Sequence, residues 1–279
     1  MAARGDCKRQ AERWHQMGIY NSSVTRVRPV FGELKRRNDD WVRRLVALPS
    51  FGHPSSLVDS NLDLAVRQIM FDPQERALQP PKSLLRWLVQ NVEDWSGHAL
   101  TQSGSARDLR QRLIRRDPEA IAKALSLLDR GPPKEGWLIL EGASYPDVFI
   151  ETEDALIVIE GKRTEPGPTT STTWMPIRHQ MLRHIDDAWE VRGDKKQLYG
   201  FFIVEGEPDD MDIPPNWVAA AKACITEEAL NGSLPHRSPS ERTAIAKCFL
   251  GVTTWQAVCH HFDIPWNELP TTVAAAELT

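Results

Sequence analysis

Apolar side chains in the first 130 residues recur at three- and four-residue steps, as they do in amphipathic helices. The spacing predicts four helices in this part of the chain: 34–48, 62–70, 82–95 and 118–130. Asp117 is suited to cap the last of them, with Pro118 in its first turn and Gly131 just after its end. We therefore predict a mostly helical N-terminal region, residues 1–116.

The hydrophobic period then changes to short β-rich runs, interrupted by one helical pattern over 175–191. The runs predict four strands: 137–140, 148–151, 156–160 and 198–205. A helix between the last two is long enough for a crossover connection. The predicted fold class is thus α/β, with a mixed central sheet flanked by helices over 117–206. Helical patterns at 217–230 and 241–262 predict a helical C-terminal region, residues 207–279, that packs on this core.

Two acidic residues flank the predicted hairpin formed by the second and third strands. A turn at Thr152–Ala155, with a loop of either two or four residues, places Asp147 directly opposite Glu160. Like charges so paired are destabilising and call for a cation. Strand alternation puts Lys162 on the same face as Glu160. The remaining hairpin positions are apolar on both faces, so the charges gather at one end of a buried ribbon.

This combination of groups suits a hard divalent cation. Two carboxylates with the backbone carbonyl of Gly161 and several waters fit Mg²⁺ or Mn²⁺ far better than zinc. Lys162 would orient or help deprotonate a water molecule, or offset charge on a phosphorus centre. Gly161 has two explanations at this stage: it lets a phosphate approach the backbone, or it relieves crowding at the strand end.

The pattern of Pro146-Asp147 followed by Glu160-Gly161-Lys162 at the end of an aliphatic strand resembles the PD-(D/E)xK nuclease superfamily. The resemblance covers roughly residues 117–206 and implies a restriction-endonuclease-like core. It implies that Asp147 and Glu160 are metal ligands, that Lys162 is the catalytic lysine and that Mg²⁺ or Mn²⁺ is the cofactor. The expected activity is hydrolysis of phosphodiester bonds. The alternatives are a surface hairpin with a Glu/Lys ion pair, or a nuclease-like module that binds nucleic acid or protein without catalysis.

The superfamily usually supplies another acid from upstream of the hairpin, and three residues are candidates here. Glu93 and Glu119 lie on predicted helices, whereas Glu141 ends the first predicted strand close to Asp147. Glu141 is slightly favoured as a further metal ligand because a short loop would bring it to the same edge of the sheet.

Residues after the lysine are rich in groups that bind phosphate. Thr169–Thr173 is a hydroxyl-rich loop. Five residues are candidates for nucleic-acid binding: Arg163, Arg178, His179, Gln180 and Arg183. In the superfamily a glutamine on a helix is often found beside the active site. Two of the arginines have alternative partners, since Arg183 could pair with Asp186 or Asp187 and Arg163 with Glu165.

Charge is distributed unevenly along the chain. The formal net charge is −4, but residues 1–130 carry 22 Lys and Arg against 15 Asp and Glu, a net +7, whereas the remainder carries −11. A basic first half favours a polyanionic partner, and the resemblance favours DNA over RNA. Endonucleases of this kind often act as homodimers, although no pattern here marks a dimer surface.

Several other classes of protein lack support in the sequence. No window reaches the roughly 18 continuous apolar residues of a membrane span, and the charged N-terminus is unlike a signal peptide, so we expect a cytoplasmic protein without membrane association. The four cysteines lack zinc-site spacing, and Cys259-His260-His261 is more simply a helix end. A Gly-x-Ser-x-Gly elbow, a phosphate-binding loop and a dinucleotide fingerprint are all missing from the sequence.

Overall fold

A computed structural model describes residues 20–52, 61–193, 196–207 and 210–276 of the chain. Residues 1–19 of the predicted N-terminal region, including Cys7, lie outside the described residues. A π-helical turn, Ser23–Val27, comes first. The α-helices are α1 (Arg28–Lys35), α2 (Trp41–Val46), α3 (Lys82–Asn91), α4 (His98–Thr101), α5 (Gly104–Ile114), α6 (Pro118–Arg130), α7 (Gln180–Val191), α8 (Pro215–Cys224), α9 (Glu227–Ser233), α10 (Pro239–Cys248), α11 (Trp255–His261) and α12 (Val273–Ala276), and Trp266–Glu268 forms a 3₁₀ turn. The strands are β1 (Val66–Phe71), β2 (Val148–Thr152), β3 (Ala155–Gly161), β4 (Gln197–Val204) and β5 (Phe249–Thr254).

The five strands form one mixed sheet in the order β1-β2-β3-β4-β5. β1, β2 and β3 are antiparallel neighbours, whereas β4 and β5 continue the sheet in parallel. Helix α7 makes the crossover from β3 to β4, as the sequence predicts, although it begins at Gln180 and not at Met175. The prediction of an α/β fold with a mixed sheet and flanking helices is confirmed.

The β2–β3 hairpin has the predicted register, with Val148 opposite Ile159 and Ile150 opposite Ile157. Its two faces are both buried. The even-numbered positions of β2 and the odd-numbered positions of β3 pack against α1, α2 and α11, and the alternate positions pack against α7, α8 and α10. A third apolar cluster lies among α3, α5 and α6. Helix α6 begins as predicted, because the Asp117 side chain accepts hydrogen bonds from the backbone N–H groups of Glu119 and Ala120.

The predicted helix at 62–70 is wrong, because residues from Val66 onward form strand β1 beside β2. Ile69 and Phe71 pack on one face of the sheet and Met70 on the other. This two-residue alternation is hidden in the sequence, since short apolar runs fit both a helix and a strand.

The predicted strand at 137–140 is also wrong. Trp137, Leu138 and Leu140 are buried against the helices of the third apolar cluster. The carbonyls of Gly136 and Trp137 accept hydrogen bonds from the Arg110 guanidinium, so this segment satisfies its backbone without a neighbouring strand.

The predicted helix at 241–262 is interrupted by β5, so the C-terminal region is not purely helical. Gly251 in β5 has φ +98°, and a Cβ there would lie 2.2 Å from the carbonyl oxygen of Ser50. The sheet therefore extends beyond the predicted core limits of 117–206, because β1 and β5 both lie outside them.

The described cysteines, Cys224, Cys248 and Cys259, are free thiols, and burial raises the pKa of each, to about 12 for Cys224. Cys259 lies in the last turn of α11, as predicted for the Cys259-His260-His261 run. None of the helices in the described ranges combines the length and the hydropathy that crossing a membrane requires.

Candidate active site

Acidic residues from three adjacent strands gather at one end of the sheet. Phe71 pairs with Val148, and Val148 with Ile159, so Asp72, Asp147 and Glu160 come next at the same end. Glu160 lies within β3, whereas Asp147 directly precedes β2 and Asp72 directly follows β1. The order of the strands thus collects carboxylates that are far apart in sequence.

Glu160 is buried and makes three polar contacts. Lys162 Nζ lies 3.0 Å from Glu160 Oε1, and Gln180 Nε2 donates to the same oxygen at 2.6 Å. His184 Nε2 lies 3.2 Å from Oε2. Burial favours the protonated carboxyl, but His184 and the charge of Lys162 outweigh it and lower the pKa of Glu160 to about 2. The predicted placement of Glu160 and Lys162 on one face is confirmed.

Lys162 is nearly buried, with 14% of its side chain exposed. Burial disfavours its charged form, but Glu160 more than compensates, and the pKa of Lys162 is raised above its usual value. The ammonium group therefore keeps its proton in this arrangement.

Asp147 is partly exposed and is held by two donors. Its Oδ2 accepts a hydrogen bond from the Gly161 backbone N–H at 2.8 Å, and its Oδ1 accepts one from Ser23 Oγ at 3.0 Å. Burial, followed by the charge of Glu160, raises the pKa of Asp147 to about 8. The two carboxylates thus interact electrostatically, as their facing positions in the hairpin predict.

Gly161 lies between Asp147 and the N-terminal π-helical turn. Its carbonyl accepts a hydrogen bond from Ser22 Oγ at 3.0 Å. A Cβ at this position would lie 2.8 Å from the Trp255 side chain and 3.1 Å from Val27. Relief of crowding therefore explains the glycine, and close approach of a phosphate is not needed to account for it.

Gln180 is the predicted nucleic-acid-binding residue that the structure brings to this site, through its contact with Glu160. Its Oε1 atom is buried and has no hydrogen-bond partner among the described residues. His184 follows it by one helical turn on the same face of α7 and was not predicted, although the four-residue spacing was a usable signal.

Glu75 is a second residue that the sequence did not single out. It lies just after the turn that follows β1, and its pKa is raised by burial and by the charges of Asp72 and Glu160. Glu75 could not be predicted as a site residue because the apolar spacing of the strand before it, β1, also fits a helix. Ser22 and Ser23 were also missed, since they reach the site only through tertiary packing.

The prediction that Glu141 joins this site needs correction. Both Glu141 oxygens are engaged by the Arg178 guanidinium, and Arg183 Nε lies 3.4 Å from Oε1. The other two candidates lie elsewhere: Glu119 is 89% exposed and pairs with Arg112, and Glu93 is exposed. None of these three described candidates contacts Glu160.

The prediction that Arg178 contacts nucleic acid is wrong, because its side chain is fully buried. It also pairs with Asp186 at 3.0 Å and donates to the Ser233 carbonyl at 2.7 Å. Strong local carboxylate charge outweighs the effect of burial and raises its pKa. Arg178 therefore joins elements of the fold together.

The other basic candidates are less available than the sequence suggested. Arg163 is 9% exposed and pairs with Glu205 at 2.7 Å, not with Glu165, whose carboxylate accepts from the Arg163 backbone N–H. His179 Nδ1 lies 3.4 Å from Cys224 Sγ, and burial lowers its pKa. Arg183 remains 24% exposed, and it pairs with Glu141 in place of Asp186 or Asp187.

The site supplies oxygen ligands of the kind that Mg²⁺ and Mn²⁺ prefer. Within the described ranges, no group of three or more His, Cys, Asp and Glu side chains is arranged to hold a metal ion. The Asp147 and Glu160 carboxylates and the Gly161 carbonyl nevertheless lie at one strand end, and Glu160 Oε2 is buried without a well-aligned hydrogen bond. A buried oxygen left in this state is costly unless a further partner binds it, so these donors fit a hard cation.

Comparison with known proteins found no matching family model, no similar curated protein and no similar solved structure.

Proposed function

We propose that this protein is a metal-dependent nuclease of the PD-(D/E)xK type with a restriction-endonuclease-like core. One observation carries the proposal: the Lys162 ammonium lies 3.0 Å from Glu160 at the end of a buried strand, with the Asp147 carboxylate directly before the adjacent strand. Placing two interacting carboxylates together at this position is unfavourable for stability alone, and such a cost is typical of functional sites.

Each residue of the site has a distinct proposed role. Asp147, Glu160 and the Gly161 carbonyl would hold Mg²⁺ or Mn²⁺. Lys162 would keep a positive charge near the reacting phosphate and orient the attacking water. Gln180 and His184 fix the Glu160 side chain from helix α7. When bound, the divalent ion supplies an acidified water and stabilises negative charge on the phosphate.

The proposed substrate is DNA in preference to RNA. The N-terminal half carries a net charge of +7, which favours a polyanion without specifying its sequence. Arg183 is more exposed than Arg163 and Arg178 and is therefore the predicted arginine most accessible to a phosphate of the substrate. We further propose that cutting both strands of a duplex requires a homodimer, which light scattering of the active species would test.

A cleavage assay tests the proposal with controls that the hairpin itself provides. Plasmid, linear DNA and RNA are incubated with Mg²⁺ or Mn²⁺, and cleavage is expected to be lost with EDTA, with Glu160→Gln and with Lys162→Ala. Glu151 and Lys196 form a similar ion pair at 2.6 Å at the other end of the hairpin. Glu151→Gln and Lys196→Ala should therefore retain activity. Cleavage that persists in both site variants would refute the assignment.

A second candidate is a nuclease-like module that binds nucleic acid or protein without catalysis. Two observations favour it. Lys162 and Gln180 both contact Glu160 Oε1, so this oxygen already has partners without a metal ion. Among the described residues, no group of three or more His, Cys, Asp and Glu side chains is arranged to hold one. Calorimetry separates the two candidates. A nuclease should bind Mn²⁺ in the wild type and lose this binding in Asp147→Ala, whereas a docking module need not bind Mn²⁺ at all.

A further inference from the structure

A separate cavity of about 250 Å³ lies between the N-terminal helices and the loop that precedes α7. Arg110 from α5, Thr172 and Trp174 from the loop, and Arg183 from α7 contribute to its walls. The loop is held in shape by two backbone hydrogen bonds between Thr172 and Met175. The walls of this cavity therefore come from two helices and from a loop that carries its own hydrogen bonds.

Arg110 is an unusual residue for a protein interior. It is 6% exposed, and burial lowers its pKa although the charge of Asp94 acts in the opposite direction. Its Nε and Nη2 atoms donate to backbone carbonyls, but Nη1 is buried without a hydrogen-bond partner among the described residues. The Trp174 ring lies 5.2 Å from the guanidinium carbon. A buried guanidinium nitrogen without a hydrogen-bond acceptor is costly, and a bound anion would supply that acceptor.

The other polar groups of the cavity reinforce this positive character. Thr172 Oγ1 is buried and has no partner among the described residues. Arg183 donates through Nη2 to the carbonyls of Gly142 and Ala143, which holds its guanidinium at the wall. Glu141 also lines the cavity, with both oxygens bound by Arg178 and with Arg183 Nε 3.4 Å from Oε1. The wall of the cavity thus contains the guanidinium groups of Arg110 and Arg183 and the hydroxyl of Thr172.

We propose that this cavity binds a phosphate group, held by Arg110, Thr172 and Arg183. Guanidinium and hydroxyl groups are the standard donors to phosphate oxygens, and a cavity of this volume accepts a phosphate monoester. The phosphate is either a free ion or the terminal phosphate of a nucleic-acid strand. Thr172 belongs to the hydroxyl-rich loop of 169–173, and this binding gives the loop a role distinct from the Asp147–Glu160–Lys162 site. The binding does not depend on nuclease activity.

Titration calorimetry in EDTA tests the site without any contribution from a metal. Inorganic phosphate is titrated into the full chain, with potassium chloride at matched ionic strength as the blank. Thr172→Val and Arg110→Gln should each weaken binding, by about 5-fold and about 10-fold, because one neutral and one charged donor are lost. Arg107, exposed on the same helix, provides the control, and Arg107→Gln should leave the affinity unchanged. Circular dichroism establishes that each variant is folded.

Arg110 also supports the 136–137 backbone, so Thr172→Val is the decisive variant if Arg110→Gln does not fold. Absence of phosphate binding at millimolar concentration, or equal binding by the wild type and Thr172→Val, would overturn the proposal. Oligonucleotides with a 5′-phosphate or a 5′-hydroxyl then identify the source. If the oligonucleotide with the 5′-phosphate binds more tightly, the ligand is the terminal phosphate of a strand. If both oligonucleotides bind equally while inorganic phosphate still binds, the ligand is a free phosphate ion.

Discussion

Helix α7 contributes side chains to two charge clusters. Gln180 and His184 contact Glu160, which forms the site cluster with Asp147 and Lys162. Asp186 and Asp187 contact Arg178, which forms the sealed cluster with Glu141. The sealed cluster is at most 2% exposed, whereas Lys162 is 14% exposed and Asp147 is partly exposed.

The difference shows that residue type alone does not identify a functional site. An arginine near a helix N-terminus is typical of phosphate binding, yet here Arg178 and Asp186 join α7 to the loop at Glu141 and to Ser233 and Arg237. The site cluster has fewer charges, but solvent reaches it, whereas buried carboxylate oxygens without a well-aligned hydrogen bond occur in both clusters, on Glu160 and on Asp187. Access to solvent, and not unsatisfied bonding, therefore distinguishes the candidate site from the structural ion cluster.

The largest expected effect is on stability, in the sealed cluster. Arg178→Ala should reduce the free energy of unfolding by about 3–5 kcal/mol, because it leaves buried carboxylates without their counter-charge. Urea unfolding measures the change. A loss below that of a typical surface substitution would show that the cluster does not hold the fold together.

The next effect separates catalysis from stability in the site cluster. Lys162→Ala should lower the cleavage rate by about 100- to 1,000-fold, as expected for the loss of one charge that stabilises a transition state. Lys196→Ala is the control for loss of a lysine ion pair. Steady-state rates and thermal unfolding are measured together, and a rate loss matched by unfolding of the variant would contradict a role in the reaction.

A smaller effect is expected from tight packing at the end of β3. Gly161→Ala should destabilise the protein by about 1–3 kcal/mol, because the new methyl group overlaps Trp255. Trp255→Phe shortens the opposing ring, so the double variant should be more stable than the sum of the two single changes predicts. Additive losses would indicate that the glycine is required for another reason.

The smallest expected effect is on how the stability of the metal-free protein depends on pH, which should differ between the two clusters. The pKa of Asp147 is raised to about 8, so the folded state binds more protons and its stability falls as pH rises from about 4 toward 8. The pKa of Asp186 is lowered to about 2, mainly by Arg178 acting against burial, so its contribution is complete above about pH 4 and is lost in acid.

Unfolding free energies across this pH range, measured in EDTA, test the difference. Asp147→Asn should flatten the slope between about pH 5 and 8, and Asp186→Asn should flatten only the acid limb. An unchanged slope near neutrality in Asp147→Asn would show that Asp147 is ionised without a metal.

The hairpin and its charges could be predicted because strand alternation and a short turn fix the register. Positions 147, 160 and 162 follow from that register, and Gln180 follows from the crossover helix. The strands at β1 and β5 could not be predicted, since their short apolar runs also fit helices. The burial of Arg178 depends on partners up to 55 positions away, which no local pattern reveals.

The hydrogen bond from Ser22 to Gly161 spans 139 positions, and β5 completes the sheet only at residues 249–254. During synthesis the contacts of Ser22 and Ser23 can therefore form once Gly161 has emerged from the ribosome, whereas the edge of β4 is covered only after β5 has emerged. High contact order of this kind slows folding and leaves an open strand edge on the nascent polypeptide. Chaperone engagement during synthesis is expected to fall once β5 emerges.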